Sequence, residues 1–396
     1  MTLRHIRFNQ VDEVCLQRLI DTGAAESRDI EYKTATYGGN DEARAEFLAD
    51  VSSLANTVGG DLIIGMAADN GIPAAIVPLA MADIGKECLR LESMARDGLE
   101  PRIPDLQIKS VPLSGGGAAI LVRVPRSYNP PHRVVYKGKN RFWARSSAGK
   151  YEPDVDELRT LFTLAPQLAD RIRSFRADRV AKITVGEAPV ALMGTFCLVV
   201  HLVPFSAFDI GAGSAVSLPY LHQHPNYFPT LFAGHPQNWR VNFDGFLALS
   251  NADAKAPNQR AYVQVFRSGI IEAVAFVGDD KTDALHLEAG IVRYSREYAG
   301  ALQACGVEPP FALLVSLLAA HGKHLAMQSV GYVHHDELAG LDRDQLHFSE
   351  VILEDVPKTD QACASMIRSI LDQIANAAGF PATSTFDAAG NYLLKI

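Results

Sequence analysis

Two hydrophobic periods alternate along the first third of the chain. Val11, Val14, Cys15 and Leu19 recur at helical spacing and predict a short helix over residues 11–20. The segment 26–33, ESRDIEYK, reads as a turn entering a strand. Asn40 or Asp41 is placed to cap a helix running to about Asn56, striped by Phe47, Leu48, Val51, Leu54 and Ala55 and stopped by Gly59 and Gly60. Residues 61–66, DLIIGM, form an apolar run of strand length, closed by the turn signal Asp69-Asn70-Gly71. Ile84, Cys88, Leu91 and Ala95 predict a second helix, ended by Gly98 and Pro101. Residues 106–113 and 118–124 flank a Ser-Gly-Gly-Gly loop in the pattern of a β-hairpin. A further strand pair brackets 137–140, and residues 154–162 predict a closing helix with Asp156 and Glu157 in its first turn.

The rest of the chain repeats neither that pattern nor itself. Residues 198–203 and 246–249 read as strands, 261–267 with 270–276 as a hairpin around Ser268-Gly269, and 283–304 and 360–378 as helices. The expected organisation is an α/β (α+β) domain over 1–164, a basic linker or helix over 165–184, and a second α+β domain over 185–396.

Length agrees, since 396 residues exceed one ordinary hydrophobic core. With 48% apolar and 21% charged residues the chain has the composition of a folded protein. Five cysteines, odd in number and far apart, argue for a reducing compartment and against a disulfide frame or zinc ribbon. No apolar h-region follows the first ten residues, and the apolar stretches 188–205 and 309–320 are interrupted or too short to span a bilayer. The expectation is a cytoplasmic protein with no membrane partner.

The formal net charge of -8 offers a polyanion no overall attraction, but the charge is unevenly placed. Between Arg126 and Tyr151 lie Arg126, Arg133, Lys137, Lys139, Arg141, Arg145 and Lys150, with no acid among them. A second basic run comprises Arg171, Arg173, Arg176, Arg179 and Lys182. Either is a candidate phosphate-contacting surface or a plain solvated face.

Candidate chemistry sits in ESRDIEYK. Residues two apart on a strand share a face, so Glu31 and Lys33 stand side by side with Tyr32 opposite. Glu26 lies in the turn feeding that strand, and Asp69 ends the neighbouring apolar run. If the two strands are adjacent, three carboxylates meet at one sheet edge beside Lys33. A divalent cation such as Mg²⁺ or Mn²⁺ would relieve their repulsion and activate a phosphodiester. The plain alternative is a surface ion pair and a turn aspartate. No P-loop stretch is present, so no nucleotide cofactor is expected. No serine-hydrolase elbow occurs either. His222, His224 and His235, and His334 with His335, lack a completing metal-ligand spacing. Phe142 and Trp143 alternate along a strand, so that one is exposed for base stacking and the other buried.

The order ESRDIEYK, then ANTVGGDLIIGMAADNG, then NPPHRVVYKGKNRFWARSSAGKYEPDVDELRTLF resembles the Schlafen/AlbA-type domain of bacterial proteins and animal Schlafens. The resemblance covers about 140 residues and implies a mixed sheet with flanking helices. It carries the cleavage site of RNA-cutting Schlafens onto Glu26, Glu31 and Asp69 as metal ligands, with Lys33 completing the signature; the family's acidic pair is here Ala68-Asp69. It implies a nucleic-acid partner, RNA or DNA, contacted by Arg133, Lys137, Lys139, Arg141, Arg145 and Lys150. The animal core pairs two lobes into a clamp, which a homodimer of this chain would rebuild. Three functions stay open: a Mg²⁺- or Mn²⁺-dependent endoribonuclease, a non-catalytic DNA-binding regulator or scaffold, and an activity housed in the C-terminal domain.

Overall fold

Backbone donors left open at helix starts are met by the side chain just before each helix. Asp12 accepts from the Cys15 N–H at 3.0 Å and opens α1 (Glu13–Asp21). After β1 (Ile30–Lys33), Asn40 accepts from the Ala43 N–H at 2.8 Å and opens α2 (Asp41–Ala55). Next come β2 (Gly60–Ile64), β3 (Met66–Asp69) and β4 (Ile72–Ile76), and Asp83 caps α3 (Ile84–Gly98) through the Lys86 N–H at 2.9 Å. Seven strands follow: β5 (Leu99–Glu100), β6 (Gln107–Pro112), β7 (Ala118–Val124), β8 (Arg133–Tyr136), β9 (Lys139–Phe142), β10 (Ala144–Ser146) and β11 (Gly149–Tyr151). The structure, a computed structural model, describes residues 3, 6–79, 83–209, 214–253, 258–326 and 340–394, and divides into two compact units, 1–167 and 168–396.

In the first unit β1, β2, β7 and β6 lie side by side in that order, β1 parallel to β2 and the remaining pairs antiparallel. Every residue of β2 is buried, because both sheet faces are covered. On one face Phe47, Val51 and Leu54 of α2 and Leu91 of α3 pack on Leu62, Ile64, Ile120 and Val122. On the other, Leu16 and Leu19 of α1 pack on Ile30, Tyr32, Ile63 and Leu121.

The apolar run 61–66, expected as one strand ending at Asp69, is broken at Gly65. Gly65 has φ +96° and donates to the Lys33 carbonyl at 2.7 Å, and a Cβ there would lie 3.0 Å from the Val77 carbonyl. Beyond it β3 and β4 form a separate hairpin whose two-residue loop, Asn70 at φ +49° and Gly71 at φ +77°, takes the left-handed conformation twice. Asp69 therefore stands at a hairpin end, off the four-stranded sheet. The turn between β8 and β9 repeats the device with Lys137 and Gly138, so the loop expected over 137–140 is shorter and Asn140 lies in β9.

The closing helix extends well past residue 162. It is α4 (Val155–Thr184), which contains Pro166 and takes in the whole basic segment 165–184. With β17 (Lys281–Asp283) in a separate two-stranded pair, the second unit is built on β12 (Cys197–Pro204), β13 (Asn238–Val241), β14 (Gly245–Leu249), β15 (Ala261–Phe266), β16 (Ile271–Phe276) and β18 (Phe311–Leu318). They pair antiparallel in the order β13-β14-β15-β16-β12-β18, and the short 345–347 and 351–353 strands add to β18. The helix Ala284–Ala304 covers one face. The helix expected over 360–378 is two, Asp360–Met366 and Arg368–Ala377, meeting at the buried Ile367. Val180 and Ile183 of α4 pack on the opposite face against Val199, Leu247 and Val274. Among the described residues no helix is long and apolar enough to cross a membrane.

Candidate nucleic-acid interface

Strand β1 places Glu31 and Lys33 on the α2 side of the sheet, and their side chains pair at 2.8 Å. Tyr32 faces the other way, buried, and donates to the Ala24 carbonyl at 2.6 Å. Glu31 is 9% exposed, and its second oxygen is bound by the guanidinium of Arg145 on β10. Arg145 is itself buried, and its Nε donates to the Ser27 carbonyl at 2.9 Å. One arginine thus ties β10 to the ESRDIEYK turn and to the strand that follows it.

The pair continues into a network on α2. Lys33 lies 3.4 Å from Asp50 and 3.7 Å from Glu46, and Lys150 on β11 reaches Glu46 at 2.6 Å and Asp50 at 2.8 Å. Asp50, fully buried, also accepts from the Tyr37 hydroxyl at 2.6 Å. Burial opposes the charge of Lys33, but Asp50, Glu31 and Glu46 outweigh it and hold its pKa above the ordinary lysine value. Burial, with Asp50 next, pushes the Tyr37 phenol up. Three carboxylates and three cations neutralise one another here, which is the condition under which buried charge is tolerated.

Glu26 lies beside the hairpin loop: its backbone N–H donates to the Gly71 carbonyl at 2.7 Å, and its Oε1 accepts from the Tyr32 N–H at 3.1 Å. Burial, and after it the Glu31 charge, raises its pKa. Asp69 is exposed and accepts from the Asn70 side chain at 3.2 Å. Of the three carboxylates expected to hold Mg²⁺ or Mn²⁺, Glu31 has both oxygens engaged by Arg145 and Lys33, and Asp69 sits on the separate hairpin. Among the described residues no group of three or more His, Cys, Asp or Glu side chains is gathered closely enough for a metal ion.

The basic run fares differently residue by residue. Arg145, expected among the contacting cations, is buried on Glu31 instead, and Lys150 is engaged by Glu46 and Asp50. Arg133, Lys137 and Arg141 reach toward solvent, each in one ion pair: with Glu100 at 2.6 Å, Asp41 at 2.5 Å and Glu152 at 2.5 Å. The Lys139 side chain lies outside the described residues. Arg126 stacks over Tyr128. In the second unit Arg173 and Arg176 meet Glu350, and Arg179 meets Glu272.

Neither aromatic of the ribbon formed by β8–β11, Phe142 or Trp143, is fully exposed. Phe142 packs edge-on against Phe162, and Trp143 is half-buried against the core under α2. Asn56, at the end of α2, holds this corner: it donates to the carbonyls of His132 and Trp143 at 3.0 and 2.9 Å and accepts from the His132 N–H at 2.7 Å. His132 is buried, with Nδ1 at 2.6 Å from the Pro101 carbonyl, and burial lowers its pKa. His334 and His335 lie outside the described residues. Sequence reasoning missed Asp50 and Asn56. Asp50 had left a signal, an acid three residues after Phe47 and four before Leu54, on the buried side of α2.

Residues 26–154 match the family model described as Schlafen, AlbA_2. The first unit thus carries a Schlafen/AlbA_2 domain built on the four-stranded sheet and its network. Among solved structures, the chain is similar to the DIP2311 protein of Corynebacterium diphtheriae at 16% identity, covering 38% of this chain and 29% of that one, with a TM-score of 0.27. It is also similar to the N-terminal domain of a RecG-related protein of Nitrosomonas europaea at 23% identity, covering 28% of this chain and 72% of that one, with a TM-score of 0.22. The chain thus spans less than a third of the Corynebacterium protein. No curated protein matches.

Proposed function

We propose that the Schlafen/AlbA_2 domain binds nucleic acid along the ribbon β8–β11, and that the Glu31 network fixes that ribbon to the sheet. The observation that carries this reading is the Arg145–Glu31 pair, which makes the signature carboxylate a structural anchor for β10. Arg133, Lys137 and Arg141 remain at the surface in single exposed ion pairs. Such pairs are worth about 0–1 kcal/mol, so a phosphate displaces the carboxylate at little cost. Titration of RNA and DNA oligonucleotides at several salt concentrations tests it. With Lys137, Lys139 and Arg141 changed to Glu, affinity should fall and the salt slope should flatten by about 0.7–0.9 per lost contact. Unchanged affinity and slope would refute the reading.

A second reading is cleavage of the bound strand with Mg²⁺ or Mn²⁺ through Glu26, Glu31 and Asp69, with Lys33 beside the phosphate. One observation favours it: Glu26 is tied to the hairpin loop that carries Asp69, its N–H on the Gly71 carbonyl at 2.7 Å. RNA cleavage that needs Mn²⁺, stops with EDTA and disappears in Glu31→Gln supports this reading. Binding without cleavage under any of these conditions removes it.

A further inference from the structure

In the second unit, residues 383–393 double back on themselves against the helix Ala284–Ala304. The Leu393 N–H donates to the Thr385 carbonyl at 2.8 Å and the Asp387 N–H to the Asn391 carbonyl at 2.9 Å, and the Phe386 and Tyr392 rings meet at 5.6 Å. The tip, 387–389, is exposed. Little apolar surface fastens this hairpin, for Phe386 and Tyr392 are only partly buried against the core. Its attachments are polar side-chain bonds instead. The Thr383 N–H donates to Asp372 at 3.0 Å, the Tyr392 N–H to the Gln361 Oε1, and the Gln361 Nε2 to the Gly390 carbonyl at 3.1 Å. Segments held in this way lie at the low end of local stability.

The innermost attachment is a carboxyl group. Glu288 is fully buried, and the hydroxyls of Thr383 and Thr385 donate to its Oε2 at 2.5 and 3.0 Å. Its Oε1 and the Tyr392 hydroxyl are buried too, and neither has a hydrogen-bond partner among the described residues. Asp372 on the helix Arg368–Ala377 and Asp283 at the cap of its own helix both oppose its ionisation. Arg368 lies 3.8 Å from Asp372 and over the Phe386 ring, and Arg296 is paired with Asp360 at 2.6 Å. Burial, and after it Glu288, Asp360 and Cys363, pushes the Tyr392 phenol up, so it stays uncharged. A carboxylate in this place would be buried charge without a bonded cation, which is costly.

We infer that residues 383–393 are a proton-operated latch: uncharged Glu288 holds the hairpin shut, and its ionisation lets the hairpin lift while the sheet behind stays folded. Shut, the carboxyl keeps its proton up to about pH 7; lifted, it stands in water and ionises near 4.5. Lifting therefore releases a proton between those two values. Its equilibrium constant rises about tenfold per pH unit across that range and levels above it. Acid seals this side of the second unit, and neutral pH loosens it.

Amide hydrogen exchange of the full chain tests this, read as protection factors with the intrinsic chemical rate divided out, from about pH 5 to 8, in water and in urea below the unfolding transition. The hydrogen-bonded amides of Thr383, Asp387, Tyr392 and Leu393 should be less protected than those of β12 and β18 at every pH. They should lose protection about tenfold per pH unit up to neutrality, and they should not respond to urea that weakens the β12 amides. Glu288→Gln should remove the pH dependence and keep the neutral-pH protection near its acid value. Should that variant fail to fold, Thr385→Val serves in its place: with one donor to the carboxylate gone, the levelling should move to higher pH. Hairpin amides that follow β12 in both protection and urea response overturn the latch, because the segment then opens only when the whole unit unfolds. Protection that does not change with pH below neutrality overturns it as well, and so does a pH dependence that persists in Glu288→Gln.

Discussion

Replacing Arg145 by alanine is the sharpest probe of the network that anchors the ribbon. The change removes a buried guanidinium, leaves the Glu31 carboxylate at 9% exposure with Lys33 as its remaining cation, and frees the Ser27 carbonyl from its bond at 2.9 Å. Breaking a buried pair from one side costs about 3–5 kcal/mol, because the charge left behind has lost its compensation. For a unit of this size each kcal/mol lowers the midpoint by about 2–4 °C, so the first unit should melt roughly 6–20 °C lower. Thermal or urea unfolding read from Trp143 emission in a Trp239→Phe background measures that unit directly. Glu31→Leu should show a loss of similar size. The double variant Arg145→Ala/Glu31→Leu should be more stable than the sum of the single losses by at least about 1 kcal/mol, since no uncompensated charge then remains between them. Strict additivity, or a loss below about 1 kcal/mol for Arg145→Ala, would refute the anchoring role.

Three further outcomes follow from groups already described or packed nearby. Asn56→Ala strands two carbonyls and one N–H in the corner under Trp143, and should destabilise the first unit by about 2–4 kcal/mol in urea unfolding. Glu288, on the helix Ala284–Ala304, is fully buried against Thr383 and Thr385, and burial pushes its pKa up to about 7. The folded state therefore holds a proton that the unfolded chain gives up near pH 4.5, so stability of the second unit should decline as pH rises from about 4.5 to 7, by roughly 3 kcal/mol at most, and Glu288→Gln should flatten that decline. Glu272 runs the opposite way: burial would raise its pKa, but Arg179, bonded at 2.7 and 2.8 Å, and His201 bring it down to about 2. Its contribution is present above the unfolded value and should be lost as pH falls from about 4.5 toward 2, a loss absent from Glu272→Gln when unfolding is followed across that range.

Local rules were readable in the chain and distant ones were not. Asn40 before the Phe47–Leu54 stripe, and Asn70-Gly71 after the apolar run, are signals complete within a few residues, and helix and turn formed where they pointed. The two-residue period placed Glu31 beside Lys33 correctly for the same reason. What failed to show was pairing across long separations. Arg145 looked like one more surface cation in an acid-free run, because the acid that buries it lies 114 residues earlier. The break at Gly65 was readable in principle, as a glycine inside an apolar run, but the run's hydrophobicity outweighed it. Asp50 was passed over because a stripe is traced by its apolar members, and the acid among them gains meaning only once Lys33, Lys150 and Tyr37 converge on it.

Those long separations also bear on how the domain is made. Glu31 waits for Arg145, Asp41 for Lys137 96 residues on, and Asp50 for Lys150 100 residues on. A ribosome emits the acids first. Until residue 150 has left the exit tunnel, Glu31 and Asp50 have only Lys33 and Tyr37 beside them, Asp41 lacks Lys137, and the sheet face they guard stays unsealed. The first unit therefore cannot close before its short basic ribbon arrives, on a structure begun a hundred residues earlier.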